Sequence, residues 1–187
     1  PTKVIYTTRV IDDIKRQEEK LIHKTRTDEM TGLNNRRAYE EDIYSHDEAP
    51  EEKDFIYVSI DVNGLKVVND TNGHLAGDEL IIGASQCMKE KLKPYGSIYR
   101  IGGDEFVAIL LCDTEKVKSV LSEFDNAISN WKGNLIDKVS VSSCTLLRTG
   151  YVTPCKTLVR FLFYCSFGAG FILNFIDFFI FLYVSTV

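Results

Sequence analysis

Residues 97–111 read SIYRIGGDEFVAILL, and their pattern predicts two strands joined by a turn. Ser97 to Ile101 and Phe106 to Leu111 are apolar runs rich in β-branched and aromatic residues, which predicts two strands. Between them lies Gly102-Gly103-Asp104-Glu105, whose two glycines accept the positive φ that a tight turn requires. We therefore expect an antiparallel hairpin with two carboxylates on its turn.

The remaining pattern alternates helices with strands. Phe55 to Ile60 (FIYVSI) is typical of a buried strand, and Asp61 follows it directly. A carboxylate in that position is expected to face a cleft at the sheet edge. Helices are predicted over Arg36–Ile43, Gly64–Asp70, Asp78–Leu92 and Thr114–Trp131, with a last strand over Lys138–Cys144. This order predicts an α+β fold, a mostly antiparallel central sheet covered by helices.

The charge distribution divides the chain near residue 140. Of 49 charged residues, 45 lie in residues 1–138, where 26 Asp and Glu face 19 Lys and Arg. An acidic domain without a basic stripe disfavours nucleic acid as a partner. The five cysteines are widely spaced and form no C-x-x-C motif, so we expect free thiols in a reducing, cytoplasmic setting.

Residues 1–26 are polar and have a helical pattern, with Ile11, Ile14 and Leu21 forming a narrow apolar seam. Two interpretations stay open: a solvated terminal helix, or a coiled-coil connector from an upstream domain. The start at Pro1, without a signal peptide, suggests a piece of a longer chain. We expect that chain to carry an upstream sensor domain, and membrane association through such a segment stays open.

Asp61, Asp104 and Glu105 are predicted to gather at one open edge of the sheet. Carboxylates with little neutralising base nearby suit Mg²⁺ (or Mn²⁺), which takes one or two carboxylates and completes its shell with waters and substrate phosphates. For either segment alone, solvated turn carboxylates are the simpler interpretation. Their occurrence together beside the glycine pair favours the metal.

The helix predicted from Gly64 begins just past Asp61, and its free N–H groups offer an anion site. Lys66 lies in its first turn, where the helix dipole disfavours a cation, so a phosphate there would explain it. Asn69 and Asp78 combine an amide with a carboxylate, which can read the edge of a purine. By pattern alone, Asn69 and Asp78 are each a turn or cap residue. Lys66 can also be a plain surface lysine, and His74 a structural histidine in a turn.

Three segments together resemble one known family. RIGGDEF at 100–106, SIDVNGLKVVNDTNGHLAGDEL at 59–80 and DEMTGLNNRRAYEEDI at 28–43 are similar to the three main signatures of the GGDEF family, the diguanylate cyclases. The resemblance covers residues 28–142. It implies a palm-like nucleotidyl-cyclase fold over residues 27–142, preceded by the helical connector.

The resemblance also implies an activity and roles. Members of the family join two GTP molecules into cyclic di-GMP with release of two pyrophosphates, as Mg²⁺-dependent homodimers. It implies that three groups hold the metal, namely Asp61, the Val62 carbonyl and Asp104, and that Asp104 and Glu105 are catalytic with Asp61. For the substrate, the resemblance implies that Asn69 and Asp78 contact the guanine and that Lys66 contacts the phosphates. It also implies that His74 lines the base pocket and that Gly102 and Gly103 lie close to the nucleotide. Arg100 is expected to have a structural role.

Three departures from the family pattern bear on function. The R-x-x-D signature of product inhibition falls on Lys93 and Gly96, so feedback there is expected to be absent. Asn63-Gly64-Leu65 replaces a commoner Asp, variable, Phe stretch without removing a metal ligand. After Ser142, the chain lacks the A-D-x-A-L-Y-x-A-K helix that supplies a Lys, with an Arg after it, to the phosphates.

Residues 143–187 form an atypical, nearly uncharged tail. In residues 161–187, 20 of 27 are apolar, enough to span a membrane, although Asp177 counts against this. Our hypothesis is a shifted reading frame after Ser142, testable by the source DNA. A genuine tail would impair turnover, so weak or no activity is expected.

Three functions are therefore weighed: a diguanylate cyclase, a catalytically inactive GTP-binding regulatory domain, and a membrane-anchored protein with a cytoplasmic domain. The intact Asp61, Lys66 and GGDEF turn favour the first. Some family members make mixed AMP–GMP products, and Asp78 argues for guanine here.

Overall fold

The computed structural model describes residues 11, 25–48, 55–148 and 183–186. Besides the helical residues Ile11, Thr25 and Arg26, the described part contains four α-helices, one short 3-10 helix and six strands. In chain order these are β1 (Asn34–Asn35), α1 (Arg36–Glu48), β2 (Phe55–Val62), α2 (Leu65–Asn72), α3 (His74–Lys91), the 3-10 helix (Lys93–Tyr95), β3 (Gly96–Arg100), β4 (Glu105–Leu110), α4 (Thr114–Asn130), β5 (Val141–Arg148) and β6 (Tyr183–Thr186).

The strands form one sheet in the order β1-β3-β4-β2-β5-β6. The short β1 runs parallel to β3, and every other neighbouring pair is antiparallel. The predicted hairpin is present as β3 and β4, with Arg100 opposite Phe106 at its closed end. This arrangement confirms the α+β prediction with a mostly antiparallel sheet.

Apolar side chains of the central strands are buried on both faces of the sheet, which explains why those strands appear as continuous apolar runs. On β4, Phe106, Ala108 and Leu110 face the larger core, which contains most of the buried apolar residues of α3 and α4. Val107 and Ile109 face the opposite side, where α1 packs. The sheet is thus covered by α3 and α4 on one face and by α1 on the other.

Helix α3 starts earlier than the sequence predicts. It begins at His74, four residues before the predicted start at Asp78. Of the turn that the sequence predicts over Thr71-Asn72-Gly73-His74, only Gly73, with φ 87°, lies outside a helix. Gly77 favours a break in isolated sequence, but it is buried inside α3, where helix packing stabilises the helical conformation. His74 is therefore the first residue of a helix instead of a turn residue.

Two predicted boundaries meet the described residues only in part. Of the predicted connector, Ile11, Thr25 and Arg26 are described, and all three are helical. Strand β5 runs to Arg148, so the predicted boundary after Ser142 falls inside a strand. The predicted membrane span over 161–187 lies outside the described residues except for β6. Among the residues that the structure describes, no helix is long and apolar enough to cross a membrane.

Candidate nucleotide and metal site

The predicted carboxylates come together where β2 and β4 end. In the sheet register Asp61 lies directly opposite Glu105, so the two side chains project on the same face. The Val62 N–H donates to the Asp104 carbonyl at 2.9 Å, which holds the hairpin turn against the end of β2. The tertiary fold thus places these three acidic residues at one edge of the sheet, as the sequence predicted.

This crowding changes the acidity of Asp61. Partial burial, with smaller contributions from the negative charges of Asp104 and Glu105, raises the pKa of Asp61 from 3.8 to about 6. An ionised Asp61 therefore has unfavourable neighbours that a bound cation would neutralise. The electrostatics of the site favour a divalent ion.

The donor set is small. Among residues 25–48 and 55–148 there is no group of three or more His, Cys, Asp and Glu side chains placed to hold a metal ion. Two carboxylates, from Asp61 and Asp104, and the Val62 carbonyl form the predicted set. Such a set fits Mg²⁺ or Mn²⁺, which need few protein ligands when substrate phosphates supply the others.

The hairpin turn contains both glycines, but neither has the predicted positive φ, which among the described glycines occurs at Gly32, Gly64 and Gly73. The turn depends instead on backbone hydrogen bonds and on the space left by the missing side chains. The N–H groups of Ile101 and Gly102 both donate to the Glu105 carbonyl, at 2.9 and 3.2 Å. A Cβ on Gly102 would lie 2.5 Å from Glu105 Oε2, so a side chain there would displace the carboxylate. A Cβ on Gly103 would meet nothing within 4 Å, which leaves an open approach to the turn.

The Arg100 side chain also holds the hairpin turn in place. Its Nη2 donates to the Gly103 carbonyl at 2.7 Å, and its Nη1 lies 3.2 Å from Asp28 Oδ1. Only 12% of the Arg100 side chain is exposed, so this ion pair is largely shielded from water. The structural role expected for Arg100 is confirmed by these contacts.

Helix α2 begins beside the carboxylates. Gly64 adopts a left-handed conformation with φ 77°, and no side chain caps the helix. Lys66 is exposed in the first turn. The helix N-terminus and one lysine thus lie three to five residues past Asp61, and both attract anions.

The predicted base-binding residues lie on two helices. Asn69 is in α2 and Asp78 is in α3, so neither is a turn or cap residue. Asn69 Oδ1 lies against Gly77, at 1.9 Å from the position that a Cβ on that glycine would take. His74 is exposed at the start of α3. The amide is therefore brought next to the residue that precedes Asp78.

Sequence reasoning missed two residues that shape the site. Asn63 donates through Nδ2 to Ser140 Oγ and accepts from Ser142 Oγ, both at 3.0 Å. These bonds tie the end of β2 to β5, and they use both halves of the amide. The departure from the commoner Asp at this position thus has a structural use, which could be found only by knowing that Ser140 and Ser142 are adjacent.

The second missed residue is Glu79, next to Asp78. Its carboxylate accepts the N–H groups of Asn134, Leu135 and Ile136 at 2.8, 2.7 and 3.0 Å. These hydrogen bonds, that of Asn134 first, lower the pKa of Glu79. Glu79 thus holds the loop before β5 against α3.

Comparison with curated proteins places the site in context. The chain is 34% identical over 115 residues to the cyclic di-GMP phosphodiesterase PdeB of Shewanella oneidensis, covering 59% of this chain and 13% of that protein. It is 36% identical over 98 residues to the probable diguanylate cyclase DgcI of Escherichia coli, covering 51% and 21%. It is 33% identical over 107 residues to E. coli DgcM, a diguanylate cyclase, covering 54% and 25%. The chain thus spans a quarter or less of the length of these relatives.

Solved structures share the fold. The diguanylate cyclase SiaD of Pseudomonas aeruginosa, solved with its activator SiaC, superposes with a TM-score of 0.65 at 25% identity, over 84% of this chain and 65% of that one. The coiled coil and GGDEF domain of DgcB from Caulobacter crescentus, solved with c-di-GMP, gives 0.69 at 21% identity, over 85% and 88%. The second match, at its lower identity, bears on the fold alone.

The family model described as "Diguanylate cyclase, GGDEF domain" matches residues 25–142. This match covers more than half of the chain and includes all three signature segments. It also includes the carboxylate edge, the glycine turn and the α2–α3 pair described above. The chain therefore belongs to the GGDEF family.

Proposed function

We propose that this chain is a diguanylate cyclase domain, which condenses two GTP into cyclic di-GMP and two pyrophosphates as a homodimer that requires Mg²⁺ or Mn²⁺. One observation carries the proposal: Asp61 clusters with the acidic residues Asp104 and Glu105 at one edge of the sheet, where its partial burial, followed by the charges of Asp104 and Glu105, raises its pKa to about 6. A domain with only a structural role has no need for this unfavourable cluster.

The reaction is two phosphoryl transfers. In each, the 3′-oxygen of one GTP forms a bond to the α-phosphorus of the other, and the bond to the β-phosphate oxygen breaks, releasing pyrophosphate. The proton of the 3′-hydroxyl is released to solvent as the attack proceeds. Catalysis of this kind depends on positioning and charge stabilisation.

The acidic edge would supply the electrostatic part. Asp61, the Val62 carbonyl and Asp104 would hold the divalent ion. When bound, that ion neutralises charge on the phosphates and favours ionisation of the 3′-hydroxyl. Glu105, opposite Asp61 in the register, adds negative charge that strengthens cation binding. Arg100 keeps the turn, and with it Asp104, in place through the Gly103 carbonyl.

The two helices past β2 would supply the binding part. Lys66 and the uncapped N-terminus of α2 would contact the phosphates. Asn69 and Asp78 would read the guanine edge, with His74 lining the base pocket. These roles rest on the positions that the residues occupy at the start of α2 and along the α2–α3 pair.

Each domain offers one such site, so two domains must face each other for the two GTP molecules to react. We propose that the residues before 27 act as a helical connector that sets this dimer geometry under an upstream sensor domain. Activity would then depend on protein concentration as well as on the site.

A second candidate is a GTP-binding regulatory domain without turnover. Two observations favour it: the tail departs from the family pattern, and one matched relative is named a phosphodiesterase. The two candidates predict the same nucleotide binding and differ in product.

The deciding experiment measures cyclic di-GMP formed from GTP by the full chain with Mg²⁺, with Mn²⁺ and with EDTA. Turnover that requires metal and disappears in Asp104→Ala supports the cyclase, and a low rate is expected because of the tail. GTP binding without product would support the regulatory candidate. Absence of GTP binding would exclude both.

A further inference from the structure

Gly77, in the first turns of α3, has no assigned role in the chemistry above. We infer that Gly77 is a positioning residue for base recognition: its missing side chain makes the space in which the Asn69 carboxamide lies. The inference rests on the proposed function, because it takes Asn69 as a guanine-reading residue. Gly77 acts through Asn69 and needs no contact with the nucleotide itself.

The Asn69 carboxamide lies unusually close to the backbone of Gly77. A Cβ on Gly77 would lie 1.9 Å from Asn69 Oδ1 and 2.8 Å from Asn69 Cγ, and 3.2 Å from Leu65 Cδ1, which is the end of a flexible side chain. Real side chains do not approach as closely as the first two distances, so alanine at this position must displace the amide. The carboxamide is the far end of a flexible side chain, and it can move at little cost to the fold. Its present position therefore depends on the glycine.

The backbone gives no other reason for the glycine. Gly77 lies within α3 and is absent from the glycines with positive φ, which among the described residues are Gly32, Gly64 and Gly73. Glycine inside a helix is unfavourable relative to alanine. Gly77 weakens the helix and is not needed for the backbone conformation. Its presence is therefore explained by the space that its missing side chain leaves for Asn69.

Gly83, on the same helix, provides the contrast. A Cβ on Gly83 would lie 2.4 Å from a ring carbon of Trp131, which packs against the larger core. Gly83 thus serves packing, because the indole of Trp131 occupies its space. Gly77 instead admits a polar amide beside Asp78. The two glycines lie on the same helix, but the space beside Gly83 holds an indole ring and the space beside Gly77 holds a carboxamide.

The consequence concerns specificity. An amide offers a donor and an acceptor, and Asp78 offers acceptors only, so the pair can distinguish the guanine edge from that of adenine. If alanine at position 77 displaces the amide, the carboxylate remains and the discrimination provided by Asn69 is lost. We expect Gly77→Ala to fold, to keep its metal requirement, and to bind GTP about 5- to 20-fold more weakly, the effect of one or two lost hydrogen bonds.

The test measures binding of GTP and ATP analogues whose α–β bridge cannot be cleaved, by calorimetry with Mg²⁺. Four variants of the full chain are compared with the wild type: Gly77→Ala, Asn69→Ala, the double variant, and Gly83→Ala as the matched control. Thermal unfolding of each reports on the fold. Gly77→Ala is expected to bind GTP more weakly and to show a smaller preference for GTP over ATP, because only Asp78 still discriminates, with an unchanged or higher unfolding temperature.

The double variant distinguishes positioning from a general structural effect. In the Asn69→Ala background, Gly77→Ala should cause no further loss, because the amide that it displaces is absent. Gly83→Ala is expected to lower the unfolding temperature without changing the ratio of GTP to ATP affinity. These results together would support the inference.

Two results would overturn it. Equal GTP affinity in wild type and Gly77→Ala, or an equal loss from Gly77→Ala in both Asn69 backgrounds, would refute the positioning role while leaving the proposed function intact. Absence of GTP binding by the wild type would overturn the proposed function and the inference with it.

Discussion

Arg100 and Asp28 form an ion pair across 72 residues of sequence, with Nη1 3.2 Å from Oδ1. The same guanidinium donates to the Gly103 carbonyl at 2.7 Å. One side chain therefore joins the turn before β1 to the turn between β3 and β4. A substitution of Arg100 or Asp28 is therefore expected to change the position of Asp104.

Replacing Arg100 tests this link. Arg100→Ala should destabilise the domain by about 1.5 to 3 kcal/mol, because a shielded ion pair and a charge-assisted bond are lost together. Arg100→Lys should recover little, since one ammonium cannot make both contacts in the same geometry. Denaturant unfolding measures the change. Arg37→Ala, which breaks an exposed pair with Glu41, is the control and should stay within about 0.5 kcal/mol; equal effects in the two variants would contradict the assignment.

The acid limb of the stability profile reports on Asp28. Burial alone would raise the pKa of Asp28, but hydrogen bonds from Thr31 and the charge of Arg100 outweigh it and lower the pKa below 3.8. Stability from this group is therefore present above pH 3.8 and lost as the pH falls through the lower, folded pKa. In Asp28→Asn, that part of the acid dependence should vanish when unfolding is followed from pH 5 to 2.

Asp61 is expected to have the opposite effect on the pH dependence of stability. Because its folded pKa of about 6 lies above 3.8, the metal-free protein should lose stability from this group as the pH rises through 6. Asp61→Asn should therefore stabilise the metal-free protein at pH 7, by about 1 kcal/mol once solvent screening is allowed for. The same variant should lose Mn²⁺ binding. A wild-type affinity for Mn²⁺ that does not fall below pH 6 would refute the metal role.

The local pattern predicted much of this architecture. The β3–β4 hairpin followed from two apolar runs around two glycines, and the position of Asp61 followed from a carboxylate after a buried strand. Both features depend on residues adjacent in sequence, where chain geometry alone restricts the outcome. The start of α3 was not predictable in this way, because Gly77 indicates a break unless the neighbouring helix is known.

The parts of the site that sequence missed depend on partners far apart in the chain. Asn63 bonds to Ser140 and Ser142, which are 77 and 79 residues away. Glu79 accepts from a loop 55 to 57 residues later. No local periodicity records such pairs, so they become visible only when the fold brings β5 next to β2 and its loop next to α3.

Lys66 tests the phosphate role. Lys66→Ala should weaken GTP binding about 10-fold or more through loss of a charge-assisted contact, and it should leave the unfolding temperature unchanged because the side chain is exposed. Lys118→Ala, also exposed, is the control and should bind GTP as the wild type does. Calorimetry with a GTP analogue and with guanosine separates the two effects. A loss that is equal for guanosine would show that Lys66 does not act on the phosphates.

Glu79 tests how the loop before β5 is held. Its two oxygens accept three successive backbone N–H groups, and Gly133 leaves room for the carboxylate, since a Cβ there would lie 2.6 Å from Glu79 Oε2. In Glu79→Ala the three donors lose their acceptor. Glu79→Gln keeps one oxygen and should be intermediate, because its amide nitrogen cannot accept.

Hydrogen exchange provides the measurement, because the prediction concerns three named amides. In Glu79→Ala, the amides of Asn134, Leu135 and Ile136 should exchange at least about 10-fold faster, as expected when a local opening becomes easier. Glu115→Gln, which alters an exposed carboxylate on α4, is the control and should leave them unchanged. In the wild type the same protection should decline as the pH falls through the lowered pKa of Glu79, below its ordinary value of 4.5. Unchanged protection in Glu79→Ala would mean that the loop is held by the packing of Ile136 and Trp131 against the core instead of by the carboxylate.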